Sequence, residues 1–320
     1  MLLVGFDIGG TKCAVSVGDF EKGEIKIQAK ESYPTDFSVT PRQMCEKMCQ
    51  SAIKLLKGRK PDSAGVSCGG PLNSREGLIQ SPPNLPGWDN IPVVEIIKER
   101  LNCPVFLEND ANACALAEWK FGAGRGCKNM AFMTFGTGLG AGLILDGKLY
   151  RGVSDMAGEV GHIRLAEDGP VGYGKNGSFA GFCSGGGLAQ LGKTVADEYL
   201  SKGVTPAYYS KEKTATAKDI AEAARNGDKA ALEVFDICGK KLGEGISVMI
   251  DILNVERVVI GSIFTRCEDL LVPAMKTVIE KEALPQAANF CEILPAELGE
   301  SIGDYAAIAV AAQEDYNGSY

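Results

Sequence analysis

Leu2-Leu3-Val4-Gly5-Phe6-Asp7-Ile8-Gly9-Gly10-Thr11-Lys12 opens the chain. Residues 2 to 8 are an apolar run short enough for one buried strand, and the glycine pair behind it marks a tight turn. Residues 12 to 17 and 24 to 28 are two further strand-like segments, so the chain is expected to begin as a three-stranded meander. The turn is either an ordinary Gly-Gly hairpin or a wrap for phosphate. In the second case Gly9 and Gly10 let backbone N–H groups approach an anion, Thr11 adds a hydroxyl, and Asp7 can hold a water of a magnesium shell. Lys12 then touches phosphate or is a solvated strand lysine.

The pattern restarts near residue 129. Ala131-Phe132-Met133-Thr134-Phe135 and Gly142-Leu143-Ile144-Leu145 read as strands joined by a second glycine turn, Gly136-Thr137-Gly138-Leu139-Gly140. Either turn alone is a weak signal. As a pair they are expected to face each other across a cleft and hold the phosphates of one nucleotide from both sides.

Around these turns the pattern alternates. Residues 41 to 58 have helical spacing, 62 to 68 read as a buried strand, 92 to 101 as a helix entered through Pro92, and 104 to 107 as a strand before a helix beginning near Asp110. Residues 216 to 226, 228 to 252 and 304 to 313 read as helices, the first with a capping box of Thr216 and Asp219, and Val258-Val259-Ile260 as a short strand. A chain of 320 residues exceeds one ordinary core, so two lobes are expected: 1–120, completed by a returning helix over 304–316, and 121–303. Gly122, Gly124 and Gly126 cluster at the boundary.

Composition excludes several classes. The chain is 45% apolar and 23% charged, and no stretch approaches the roughly 20 apolar residues of a membrane span. Met1 leads straight into the first strand without a basic start or a cleavage site, which points to a cytoplasmic location and no membrane partner. A net charge of -8 gives no footprint for nucleic acid. Eleven scattered cysteines, with Cys45 and Cys49 the close pair, suggest reduced, buried thiols.

Two further segments carry candidate chemistry. In Glu108-Asn109-Asp110-Ala111-Asn112, Asp110 stands at the end of a strand and the start of a helix, where it is either a plain N-cap or a base beside an attacking hydroxyl. Gly158-Glu159-Val160-Gly161-His162 holds the chain's single histidine, which is either structural or, with Glu159, a partner for sugar hydroxyls.

Taken in order, the Asp7 to Lys12 loop, Gly69-Gly70-Pro71, Pro83-Asn84-Leu85-Pro86-Gly87-Trp88, Glu108 to Asn112, Gly136 to Gly140 and Gly158 to His162 resemble the ROK family of repressors, open reading frames and sugar kinases, nearly end to end. The resemblance implies an α/β protein of two-lobed actin-like, ribonuclease-H-like (hexokinase-type) ATPase fold that transfers the γ-phosphoryl of Mg-ATP to a hexose hydroxyl, with glucose-like sugars ahead of N-acetylhexosamines. It implies Asp110 as catalytic base and Asn109, Glu159 and His162 as sugar ligands, with Gly70 and Asn84 near the sugar. It further implies ATP and Mg²⁺ as cofactors, held by Asp7, Gly9, Gly10, Thr11, Lys12, Gly136, Thr137 and Gly138, with Gly261-Ser262 where the chain passes the adenosine. Relatives are often homo-oligomers, and a dimer is expected. With six residues before Asp7, the helix-turn-helix of the family's repressors is not expected here. The rival expectation is a non-catalytic sugar sensor.

The chain departs from the family after His162. Many relatives carry a zinc site of spacing Cys-x-Cys-Gly-x-x-Gly-Cys with that histidine as the fourth ligand; its cysteine positions fall here on Val171, Tyr173 and Ser178, so no structural zinc is expected. Tyr173, Phe179 and Phe182 are expected to hold the loop by packing instead. Two residues on, Ala180 replaces a sugar-contacting glutamate, and restoring it is expected to raise affinity for glucose-like hexoses.

Overall fold

The computed structural model describes residues 1 to 312. The chain runs through β1 (Leu2–Ile8), β2 (Lys12–Glu21), β3 (Glu24–Pro34), α1 (Pro41–Leu56), β4 (Ser63–Cys68), β5 (Leu72–Asn73), β6 (Leu78–Ile79), α2 (Val93–Leu101), β7 (Val105–Asn109) and α3 (Asp110–Phe121). It continues with β8 (Met130–Phe135), β9 (Leu139–Leu145), β10 (Lys148–Tyr150), β11 (Val171–Gly172), β12 (Lys175–Asn176), α4 (Phe179–Phe182), α5 (Gly185–Ser201), α6 (Ala217–Arg225) and α7 (Lys229–Leu253). The last elements are β13 (Arg257–Ile260), α8 (Ile263–Glu282), α9 (Pro285–Ala288), β14 (Glu292–Pro295) and α10 (Ile302–Ala311).

Two five-stranded sheets share one plan. Their orders are β3-β2-β1-β4-β7 and β10-β9-β8-β13-β14: each is an antiparallel meander extended by two parallel strands. The echo between the halves is therefore topological, and the turns after β1 and β8 occupy equivalent places. The meander strands run longer than their apolar cores suggest, because β2 and β3 stay paired out to Glu21 and Glu24, past a register shift at Val17/Gly18. β9 begins at Leu139, so the second turn is one of three residues. Helices α5 and α8 escaped the sequence reading, the first opening on three glycines and the second carrying Pro273 inside it. Thr216 and Asp219 do form the capping box of α6.

Small residues stack the layers between the sheets. A methyl group at Gly65 would lie 2.3 Å from the backbone of Ala307 and Ala311, so β4 accepts α10 at van der Waals contact. Gly142 does the same for α3, where a Cβ would come within 2.6 Å of the Ala111 carbonyl. The Ala-rich helices α3 and α10 thus lie against one another between the sheets, in a core that joins Leu3, Ala113, Ala117, Met130, Val259 and Ile308. The carboxylate of Glu118, fully buried on α3, accepts N–H groups from Ala123, Glu297 and Leu298 and ties both chain crossings to that core. Residues 313 to 316 of the helix expected over 304–316 lie outside the described residues. Among the described residues no helix is long and apolar enough to cross a membrane.

Candidate functional site

Three adjacent strand ends meet beside a cleft, those of β4 and β7 lining it and that of β1, with Asp7, lying outside its wall. Register places Asp7 beside Ser67 and Cys68 beside Asn109, so Asp7, Gly69-Gly70 and Asn109-Asp110 all emerge from the carboxyl edge of the first sheet. Local sequence then fixes α3. Asn109 is its N-cap, its Oδ1 accepting the Ala111 N–H at 2.9 Å, and Asp110 is the first residue inside the helix. The plain-cap reading of Asp110 is thus filled by its neighbour. Asp110 Oδ1 also accepts from Ala111 N at 2.8 Å, and the second oxygen is the one nearest Gly69.

Asp110 opens to the cleft on one side and is packed by protein on the others. Burial pushes its carboxyl above the ordinary range, with the Ala111 N–H pulling the other way. Burial raises Asp7 from 3.8 to about 6, Lys12 opposes this, and Asp110 and Asp304 add to it. Behind Asp110, Glu108 is fully buried; Arg151 Nε donates to its Oε2 at 2.7 Å, and Asn112 Nδ2 and its neighbour's N–H at Asn109 donate to Oε1. Burial raises Glu108 as well, against the pull of Arg151 and Asn112.

The cleft encloses about 880 Å³. Its wall contains Gly70, Asn84, Asn109, Asp110, Gly136, Thr137, Gly138, Glu159 and His162, so residues far apart in sequence converge on one cavity. Glu159 Oε2 lies 3.8 Å from His162 Nε2, both side chains half-exposed toward the cavity. A second cavity of about 1070 Å³ is lined by Gly185, Gly186, Thr216, Lys218, Glu222, Ser262 and Arg266. Gly136 and Thr137 belong to both walls, which makes the second glycine turn the partition between them. Gly136 and Ser262 are neighbours, a Cβ on the glycine falling 3.4 Å from the Ser262 hydroxyl. Ser262 reaches its place through a left-handed backbone (φ 62°) at the start of α8.

Other expected residues stand outside these walls. Gly9, Gly10, Thr11 and Lys12 form a turn closed by the Gly9 N–H on the Lys12 carbonyl, and a Cβ at Gly10 would collide with the Asn84 carbonyl at 2.3 Å. The glycine there admits the segment that carries Asn84 to the cleft. Gly261 is buried behind Phe132 and lines neither cavity, leaving that place to Ser262.

The loop after His162 holds a different chemistry from a zinc site. Val171 is bracketed by Gln190, whose Oε1 accepts its N–H and whose Nε2 donates to its carbonyl. Tyr173 stacks on His162, and Ser178 caps α4 while donating to the Gly172 carbonyl. None of these three side chains is a thiol, and among the described residues no group of three or more His, Cys, Asp or Glu could hold a metal ion, so these residues do not fit a structural zinc ion. Phe179 and Phe182 are buried in the core of the second sheet. Ala180 is a correction: it is 2% exposed, lies 3.2 Å from a Cβ built on Gly161, and is absent from the cleft wall. The alanine itself makes no contact with the cavity.

Sequence reasoning missed Asp155, Met156 and Tyr173 in the cleft wall and the Thr216–Lys218 segment, Glu222 and Arg266 in the second cavity. Asp155 binds the Ser74 N–H and hydroxyl, each at 2.9 Å. Asp155 and Tyr173 both take left-handed backbones (φ 58° and 51°), which nothing in the residue pattern announces. The capping box at Thr216 was a usable signal, since it marks a helix start.

The model of the ROK family matches residues 3–314 of the chain. A glucokinase of Halalkalibacterium halodurans is 33% identical over 94% of this chain and 92% of its own length. A xylose repressor of Caldicellulosiruptor bescii is 31% identical over 75% of this chain and 59% of its own. Among solved structures, the ROK hexokinase from Thermus thermophilus superposes with a TM-score of 0.81 at 27% identity, covering 97% of this chain and 98% of that one. The ROK family glucokinase from Streptomyces griseus, in complex with glucose and AMPPNP, gives 0.76 at 28% identity, covering 97% and 99%. The fold is the two-lobed, actin-like ATPase fold of these hexokinases.

Proposed function

The chain belongs to the ROK family as one of its sugar kinases, and on that premise we propose that it transfers the γ-phosphoryl group of ATP to a hydroxyl of a hexose. The observation that carries this reading is Asp110 on the floor of one cavity, with the Gly136-Thr137 turn parting that cavity from a second. The first suits a hexose held by Asn109, Asp110, Glu159 and His162, with Gly70 and Asn84 at its edge. The second suits a nucleotide whose adenosine passes Ser262 and whose phosphates cross the turn toward the sugar. Glucose-like hexoses are the first candidates and N-acetylhexosamines the second.

Asp110 accepts the proton of the attacking hydroxyl, and its raised pKa makes it a better acceptor than an ordinary carboxylate. The turn after β8, whose Gly136 and Thr137 line both cavities, lies where the phosphates would cross, and charge there spreads in a loose transition state. Asp7 is an oxygen donor whose buried charge is poorly compensated, which fits a divalent cation beside it. Asp7 would hold Mg²⁺ through water; bound there, Mg²⁺ neutralises phosphate charge. We read residues 1–120 with α10 as one lobe and 121–303 as the other, closing on the substrates in a cytoplasmic homodimer.

A second reading, a non-catalytic sugar sensor, is favoured by the similarity to a xylose repressor. Sugar-dependent ADP release with Mg-ATP decides between them. Turnover on glucose, mannose, glucosamine or an N-acetylhexosamine supports the kinase. Silence across that panel, in protein that a sugar still stabilises against heat, leaves the sensor.

A further inference from the structure

We propose that Tyr173 is a positioning residue that joins the sugar side of the cleft to its phosphate side, a role that rests on the kinase reading above. Its ring lies parallel to the His162 imidazole, with centroids 4.5 Å apart and planes at 9°. Its hydroxyl donates to the Leu139 carbonyl at 3.3 Å, at the point where the glycine turn enters β9. The same hydroxyl oxygen lies 2.6 Å from a Cβ built on Gly138. One side chain, 54% exposed in the cleft wall, therefore touches both the histidine and the turn.

Its backbone argues for more than loop packing. Tyr173 and Gly174, at the tip between β11 and β12, both take positive φ (51° and 70°), a turn that favours Asn or Gly over a bulky ring. The hairpin is already held at its base by Gln190 on Val171 and by Ser178 on Gly172, so it does not need the ring to stay in place. Strain of this kind persists where the surroundings over-determine it, and those surroundings here are His162 and the glycine turn. The ring covers one face of the imidazole, and both Tyr173 and Glu159 line the cavity. The hydroxyl fixes the start of β9 and with it the N–H groups of the turn.

The ring and the hydroxyl separate by substitution. Tyr173→Phe keeps the stack and removes the hydroxyl, while Tyr173→Gly removes both and accepts the backbone without strain. Sugar binding is measured by calorimetry without nucleotide, using whichever of glucose and N-acetylmannosamine stabilises the wild type more; kcat and both KM values follow. Tyr173→Phe is expected to bind sugar within about twofold of wild type and to lose about fivefold in kcat or nucleotide KM, and Tyr173→Gly to lose about tenfold in sugar affinity besides. Wild-type sugar affinity in Tyr173→Gly, or wild-type constants throughout in Tyr173→Phe, overturns the proposal. If the wild type binds sugar without turning it over, the kinase reading falls. The sugar affinity of Tyr173→Gly still decides the part played by Tyr173, a loss upholding it and no change refuting it.

Discussion

Arg151 Nε donates to Glu108 Oε2 at 2.7 Å, joining the residue that follows β10 in the second sheet to a fully buried carboxylate on the last strand of the first. Glu108 holds the backbone of Asn109 and the side chain of Asn112, so this pair lies directly behind the floor of the cleft. Arg151→Ala is expected to cost about 3 kcal/mol, because it strips a partner from a charge with no water around it. Glu108→Gln alone should cost less, since a neutral amide needs less compensation. Equal losses of thermal stability in the two variants would refute this account.

Asp110→Asn separates chemistry from folding. Asn109, not Asp110, caps α3, so the substitution is expected to leave the thermal midpoint within about 2 °C and to lower kcat by about 10² to 10⁴ with nucleotide binding retained. Asn109→Ala should instead lose about 1 kcal/mol of stability together with sugar affinity. A large loss of stability in Asp110→Asn would return that residue to a structural role.

Asp7 ties stability to pH. The rise of its carboxyl from 3.8 to about 6 means that the folded protein binds this proton more tightly than the unfolded chain does. The cost of the buried charge is absent below about pH 4 and is complete above about pH 7, with a ceiling of about 3 kcal/mol that water in the cleft reduces. Asp7→Asn is expected to raise the midpoint by a few degrees at pH 7.5, to leave it unchanged at pH 4, and to impair turnover. A gain of the same size at both pH values would show that the charge is not the cause. Mg²⁺ should stabilise the wild type more than the variant at pH 7.5.

Ala180→Glu is expected to destabilise rather than to tighten glucose binding. The site is buried against Gly161 and Gly172, and an unpaired carboxylate there costs several kcal/mol. Calorimetry on the soluble variant checks this: a lower glucose Kd with an unchanged midpoint would restore the expectation drawn from the sequence.

Much of the site was legible because its chemistry is local. A glycine pair after a buried strand, an Asn-Asp step before a helix, and Glu159 three residues from His162 are patterns that short-range geometry dictates. Asp155 and Tyr173 were not legible in that way. Each enters the cleft wall through a left-handed backbone and a partner distant in sequence, Ser74 for one and Leu139 for the other. Gly261 failed for a related reason: its neighbour Ser262 turns toward the cavity while Gly261 packs behind Phe132.

The sequence by itself determined strands β1 to β4, β7 to β9 and β13, the two glycine turns, the echo between the halves and the identity of the carboxylate at the head of α3, because strand and helix periodicity and turn chemistry act over a few residues; the short strands β5, β6, β10, β11, β12 and β14 carry no such pattern. Tertiary structure alone decided that Asn109 caps that helix, that protein packs closely enough around Asp110, open to the cleft on one side, for its pKa to rise, and that Ala180 faces the core. It also decided that one turn parts two cavities. Burial, desolvation and the meeting of distant strand ends depend on how α3 and α10 pack between two sheets, and no local pattern encodes that packing.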